Sequence, residues 1–112
     1  MKVHFIDRDM LLTDSLRELA DRRLLFALSR FGARVLQVSM SMEVTPDSGT
    51  GFGLACRVHI QLRSAEPIVA HDEGADLEHS ISIAAEKAGR AVSRSIRRLL
   101  DHSSGYHAKP NY

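Results

Sequence analysis

Lys87, Arg90, Arg94, Arg97 and Arg98 follow one another at spacings of three, four, three and one, with no acid between Lys87 and Arg98. Residues three and four apart share a helix face, so on a helix these cations form a line. A second cluster, Arg22, Arg23, Arg30 and Arg34, also spans a stretch free of acids. Guanidinium groups arrayed this way suit phosphate recognition, because the planar fork holds a phosphate bidentately and its face stacks on bases. Neutralised phosphates supply most of a protein's sequence-independent affinity for nucleic acid. Arg57 adds a further cation at the start of a strand-like segment. The plainer account of the first line is a solvated helix face, since the helix dipole already favours acids near the N-terminus and bases near the C-terminus. The second cluster counts toward RNA contact without by itself overturning that account.

The formal net charge is only +1, so bulk charge does not announce a nucleic-acid partner. Its distribution says more. Six acids and no Lys or Arg lie from Glu66 to Glu86, and segregated charge makes local fields that the sum conceals.

Other chemistries find less support. His59 and His71 fall on the outer side of two expected strands and could be cross-strand neighbours, but a zinc site wants three or four ligands. His79 with Asp72 or Glu73 could move a proton, yet no nucleophile or oxyanion arrangement accompanies them. No metal, cofactor or catalytic group is therefore expected. Cys56 is the only cysteine; it sits in an alternating apolar segment as a small buried hydrophobe and excludes an internal disulfide. The glycine-rich GTGFG at 49–53 lacks the Lys-Ser or Lys-Thr ending of a phosphate loop and precedes a strand, so it belongs to a hairpin. Few aromatics interleave with the cations, which disfavours a base-stacking platform for single strands; shape and phosphate contact suit a structured RNA better.

The elements that must position these residues follow from periodicity. Lys2–Asp7 alternates as a short strand. Thr13, or Ser15 with Glu18, can cap a helix running from about Asp14 to about Arg30. Leu16, Leu19, Ala20, Leu24, Ala27, Leu28 and Phe31 form its buried stripe, broadened by Leu25 and Phe26. Gly32 suits a left-handed C-terminal cap. Val35–Val44 has period two, with Leu36, Val38, Met40, Met42 and Val44 inward. Thr45–Gly53 is a hairpin loop. Leu54–Arg63 alternates again, with Arg57 outward, and Ile68–His71 is a last short strand. Asp76–Asp101 is a helix whose stripe is Leu77, Ile81, Ala84, Ala85, Ala88, Val92, Ile96 and Leu99, opposite the cations.

The order β-α-β-β-β-α implies an α+β two-layer sandwich: a four-stranded mixed sheet with two helices packed on one face. At 112 residues the chain is expected to form a single domain over 1–101, and 102–112 reads as a disordered tail. No apolar run approaches the roughly 20 residues of a membrane span. Charge in MKVHFIDRD stands where a signal peptide needs an apolar region. A reducing, cytoplasmic setting is expected.

Several segments taken together resemble the ribosome hibernation-promoting factor and ribosome-associated inhibitor family in its short form. They are the helix-one start LTDSLRELADRR, its end ALSRF, and a helix-two Asp followed by an apolar-rich segment and KAGRAVSR, in the element order above. The resemblance covers roughly residues 1–101. It implies a non-catalytic, cofactor-free protein that binds the small ribosomal subunit and its ribosomal RNA and silences idle ribosomes. By this resemblance the RNA contacts are Arg22, Arg23, Arg30, Lys87, Arg90 and Arg94. Arg57, Arg97 and Arg98 are added from charge and place. No membrane or small-molecule substrate is implied. Where family members often carry Tyr two residues after the helix-two Asp, this chain has Glu78. The rival readings are a general structured-RNA-binding module and a protein-interaction domain that has lost ribosome binding.

Overall fold

The structure is a computed structural model that describes residues 2–46 and 53–108, with only the backbone of 102–108. A strand β1 (Val3–Asp7) leads to helix α1 (Asp14–Leu28), a 3-10 turn (Ser29–Arg34), strands β2 (Val35–Thr45), β3 (Gly53–Leu62) and β4 (Ile68–Gly74), and helix α2 (Leu77–Ala108). The sheet order is β1-β2-β3-β4. β1 runs parallel to β2, while β2–β3 and β3–β4 are antiparallel. This is the expected mixed four-stranded α+β arrangement.

Alternation along the strands creates one apolar sheet face. Val38, Met40 and Met42 of β2 lie level with Ile60, Val58 and Cys56 of β3, and Ala70 of β4 lies opposite Val58. All of these are buried in one cluster with Ala20, Leu24 and Leu28 of α1 and Leu77, Ile81, Ala84, Ala85, Ala88 and Val92 of α2. Both helices therefore cover the same side of the sheet. The intervening strand residues, among them Arg57, His59, His71 and Glu73, face the other side.

Local chemistry fixes the ends of the elements. Thr13 is the N-cap of α1, its Oγ1 accepting the Leu16 N–H at 3.2 Å; the alternative cap at Ser15 is not used. Before it, the Asp7 carboxylate accepts the Leu11 and Leu12 N–H groups, both at 2.8 Å, turning the chain from β1 toward α1. Arg17 stacks over Phe5 at 4.8 Å and ties α1 to β1. At α2, Asp76 accepts the Glu78 N–H at 3.1 Å.

Several boundaries and faces differ from expectation. Helix α1 ends at Leu28, so Arg30 sits on the 3-10 turn. Gly32 does take a positive φ of 55°, but with ψ −130° rather than the left-handed helical value; only glycine enters this region cheaply. Leu36 and Val44 are exposed, not inward. A register irregularity between Val35 and Gln37 breaks the alternation at one end of β2. Leu25 and Phe26 do not broaden the buried stripe of α1: they are exposed, Phe26 by 86%. His59 lies opposite Val69 and His71 opposite Arg57, so the two histidines are not direct cross-strand partners. β4 continues to Gly74. Helix α2 runs to Ala108, past the expected end at Asp101 and through the first part of the segment expected to be a tail. Most of the expected hairpin loop and residues 109–112 lie outside the described residues.

Candidate nucleic-acid interface

The geometry of the helix layer is set where α1 crosses α2. A Cβ on Gly89 would stand 3.1 Å from both the Cβ and the carbonyl oxygen of Ala27. The missing side chain thus lets the two backbones approach closely. Above this contact a groove of about 670 Å³ opens to solvent. Ala27, Ala85 and Gly89 form its floor, and Arg23, Arg30 and Arg90 stand along its walls with Phe26. Three cations from two segments more than fifty residues apart in the chain are thereby brought to one place.

Each guanidinium is held differently. The Arg30 guanidinium lies over the Phe31 ring at 4.8 Å, which keeps it at the end of the groove. Arg90 Nη1 donates to Glu86 Oε1 at 2.8 Å, one helical turn back. This pair is more than half exposed, and such pairs contribute at most about 1 kcal/mol, so a phosphate can compete for Arg90. Arg22 and Arg23 share a neighbouring shallow patch with Leu25, Phe26 and Ser29.

The other expected contacts lie on further surfaces. Lys87 and Arg94 line a second depression between α2 and β4, which Arg90 also borders. There Lys87 Nζ donates to the His71 carbonyl at 3.1 Å and to Asp72 Oδ1 at 3.3 Å, so Lys87 fastens α2 to the edge strand. Arg97 and Arg98 are exposed on α2, beyond Val92, the last fully buried residue of that helix up to Asp101. Arg57 is on the opposite side of the sheet, where its Nη1 donates to Glu43 Oε1 at 2.7 Å. It does not join the helix layer. Among the described residues, no acid forms an ion pair with Arg22, Arg23, Arg30, Arg94, Arg97 or Arg98.

Two residues of this surface escape a reading by charge alone. Gly89 shapes the crossing, and nothing in a helical apolar stripe singles out a glycine as a contact point. Phe26 could have been found: at 100° per residue it stands about 120° from the centre of the α1 apolar stripe. It also lies one turn from Arg22, Arg23 and Arg30.

Alternative chemistry is not assembled elsewhere in the described residues. No group of three or more His, Cys, Asp or Glu is close enough there to hold a metal ion, and no helix is long and apolar enough to cross a membrane. Cys56 is buried, and its thiol is pushed up to about 12, first by burial and then by the nearby Asp72 carboxylate.

Comparison with known proteins places this surface in context. A search of curated proteins finds no match. Among solved structures, a ribosomal subunit interface protein from Coxiella burnetii superposes with a TM-score of 0.70 at 15% sequence identity. The match covers 84% of this chain and 96% of that one, and it establishes a shared fold. The model of the sigma 54 modulation protein / S30EA ribosomal protein family matches residues 3–100. Because that span takes in the sheet, α1 and α2 as far as Leu100, the chain belongs to the sigma 54 modulation protein / S30EA ribosomal protein family, the hibernation-factor group that its motifs resemble.

Proposed function

We propose that this protein is a cytoplasmic, ribosome-associated factor that binds RNA of the small ribosomal subunit through its helix layer. It acts by occupying space there, without catalysis or cofactor, and so holds translation down. The observation that carries this reading is the convergence of Arg23, Arg30 and Arg90 on one groove. Arg22, Arg94, Arg97 and Arg98 extend the cationic field along the exposed faces of the two helices. Family membership and the subunit-interface protein of the same fold support a ribosomal partner. On this reading Lys87 serves the fold first, through Asp72, and Arg57 lies outside the contact.

Co-sedimentation with purified small ribosomal subunits tests the proposal. Hydrogen bonds to charged groups contribute about 1.5–3 kcal/mol each, so reversing Arg23 and Arg90 together to Glu should weaken binding about a hundredfold. Arg57→Ala should leave it unchanged. Unaltered binding by the Arg23→Glu/Arg90→Glu variant would sink the assignment of the helix layer. Equal affinity of the wild type for small subunits and for an arbitrary RNA duplex would favour a general structured-RNA-binding module instead.

A further inference from the structure

The groove between α1 and α2 holds more than phosphate-binding groups. Phe26 is 86% exposed on its rim, an unfavourable place for an aromatic ring unless something covers it. The ring is not used internally. The nearby Arg30 guanidinium is stacked on Phe31 rather than on Phe26, so the Phe26 face stays open. The floor formed by Ala27, Ala85 and Gly89 carries no side chain longer than a methyl group, and leaves room for a flat group to enter.

We propose that this groove receives one unstacked base of the bound RNA, with Phe26 as its stacking face. The inference rests on the RNA-binding reading above and names the chemistry of one contact within it. Arg23, one turn from Phe26, and Arg90, across the groove, are placed to hold the phosphates on either side of that nucleotide. Glu86 Oε1 already accepts from Arg90, which offsets its charge, and its second carboxylate oxygen can accept a hydrogen bond from the exocyclic amino group of a base. Three guanidinium groups around the ring favour a polyanion over an apolar protein segment. A single ring reads one base and does not make a platform for a run of them. The partner is therefore a folded RNA with an extruded nucleotide, which is the form in which structured RNA offers its bases to proteins.

The chain contains no tryptophan, so Phe26→Trp installs a single indole reporter at the contact. Binding of the full chain to purified small ribosomal subunits would be measured for wild type, Phe26→Ala, Phe26→Leu and Phe26→Trp. Stacking on one base corresponds to about a tenfold loss on removal of the ring, or about 1.4 kcal/mol. Phe26→Ala and Phe26→Leu should both show that loss, because leucine keeps apolar area but has no π face. Phe26→Trp should bind as well as wild type, with its emission quenched by the stacked base. Wild-type affinity in Phe26→Ala overturns the proposal while leaving the ribosomal function standing. So does a Phe26→Leu variant that binds like wild type, or an indole emission that brightens and shifts to the blue as in a protein pocket. Failure of the wild type to bind subunits at all overturns both readings, and is seen before any variant is compared.

Discussion

At the scale of single residues, the same side chain type has opposite meanings in different places. Phe5 and Phe31 are partly buried against the core and each carries an arginine on its ring. Phe26, on α1, faces solvent. Cys56 shows the converse, a reactive group made inert. Its burial in β3 disfavours the thiolate, and the Asp72 carboxylate adds to the effect. Thiolate is the species that reacts with alkylating agents, so Cys56 should resist iodoacetamide at pH 8 until the protein is unfolded, as mass spectrometry would show. The shift also has a thermodynamic consequence. The thiol pKa rises from 9.0 to about 12 on folding, so between those values the native state binds the proton that the unfolded chain releases. Its contribution to stability is complete below pH 9 and is lost as pH climbs toward 12. Urea unfolding across that window should show a steeper alkaline decline in wild type than in Cys56→Ala, by up to about 1.4 kcal/mol per pH unit.

At the scale of elements, most of the architecture was legible because it depends on periodicity. Val38, Met40 and Met42 of β2, Cys56, Val58, Ile60 and Leu62 of β3, and most of the stripes of α1 and α2 appear in the core as expected from spacing alone, while Leu36, Val44, Leu25 and Phe26 do not. The Thr13 cap was equally readable, since a threonine before an apolar-periodic segment has a local partner in the third N–H of the helix. The crossing of α1 on α2 was not, because Gly89 matters only through Ala27, which lies in another helix. Gly89→Val should therefore overpack the contact and destabilise the fold by about 1–3 kcal/mol. It should also weaken small-subunit binding by pushing the groove walls apart. Gly89→Ala should be milder, since helix propensity returns up to about 1 kcal/mol against the crowding. Denaturant midpoints for the two variants would check the ranking. The length of α2 was missed for a related reason. A polar, glycine-containing stretch from His102 reads as a tail, yet the helix continues to Ala108. At 1.5 Å per residue its 32 residues extend about 48 Å.

At the scale of the whole molecule, charge is sorted by surface. The net charge of +1 would give a weak salt dependence if the protein met RNA as a uniform body. The helix layer instead carries Arg22, Arg23, Arg30, Arg94, Arg97 and Arg98 without an acidic partner among the described residues. If about four to six of them neutralise phosphates, log K for small-subunit binding should fall against log salt with a slope of about −3 to −5. A slope near −1, measured by co-sedimentation from 50 to 200 mM salt, would contradict an arginine-dense interface. The sequence by itself determined the β-α-β-β-β-α order, the apolar faces and the two runs of cations, because each is written in the spacing of near neighbours. Only the tertiary structure decided which cations line one groove. It set Arg57 on the far side of the sheet, bound Lys87 to Asp72, and left Phe26 in the open beside Arg23, Arg30 and Arg90. Those outcomes depend on strand register and on how closely two helix backbones can approach, and both are settled by contacts between residues far apart in the chain.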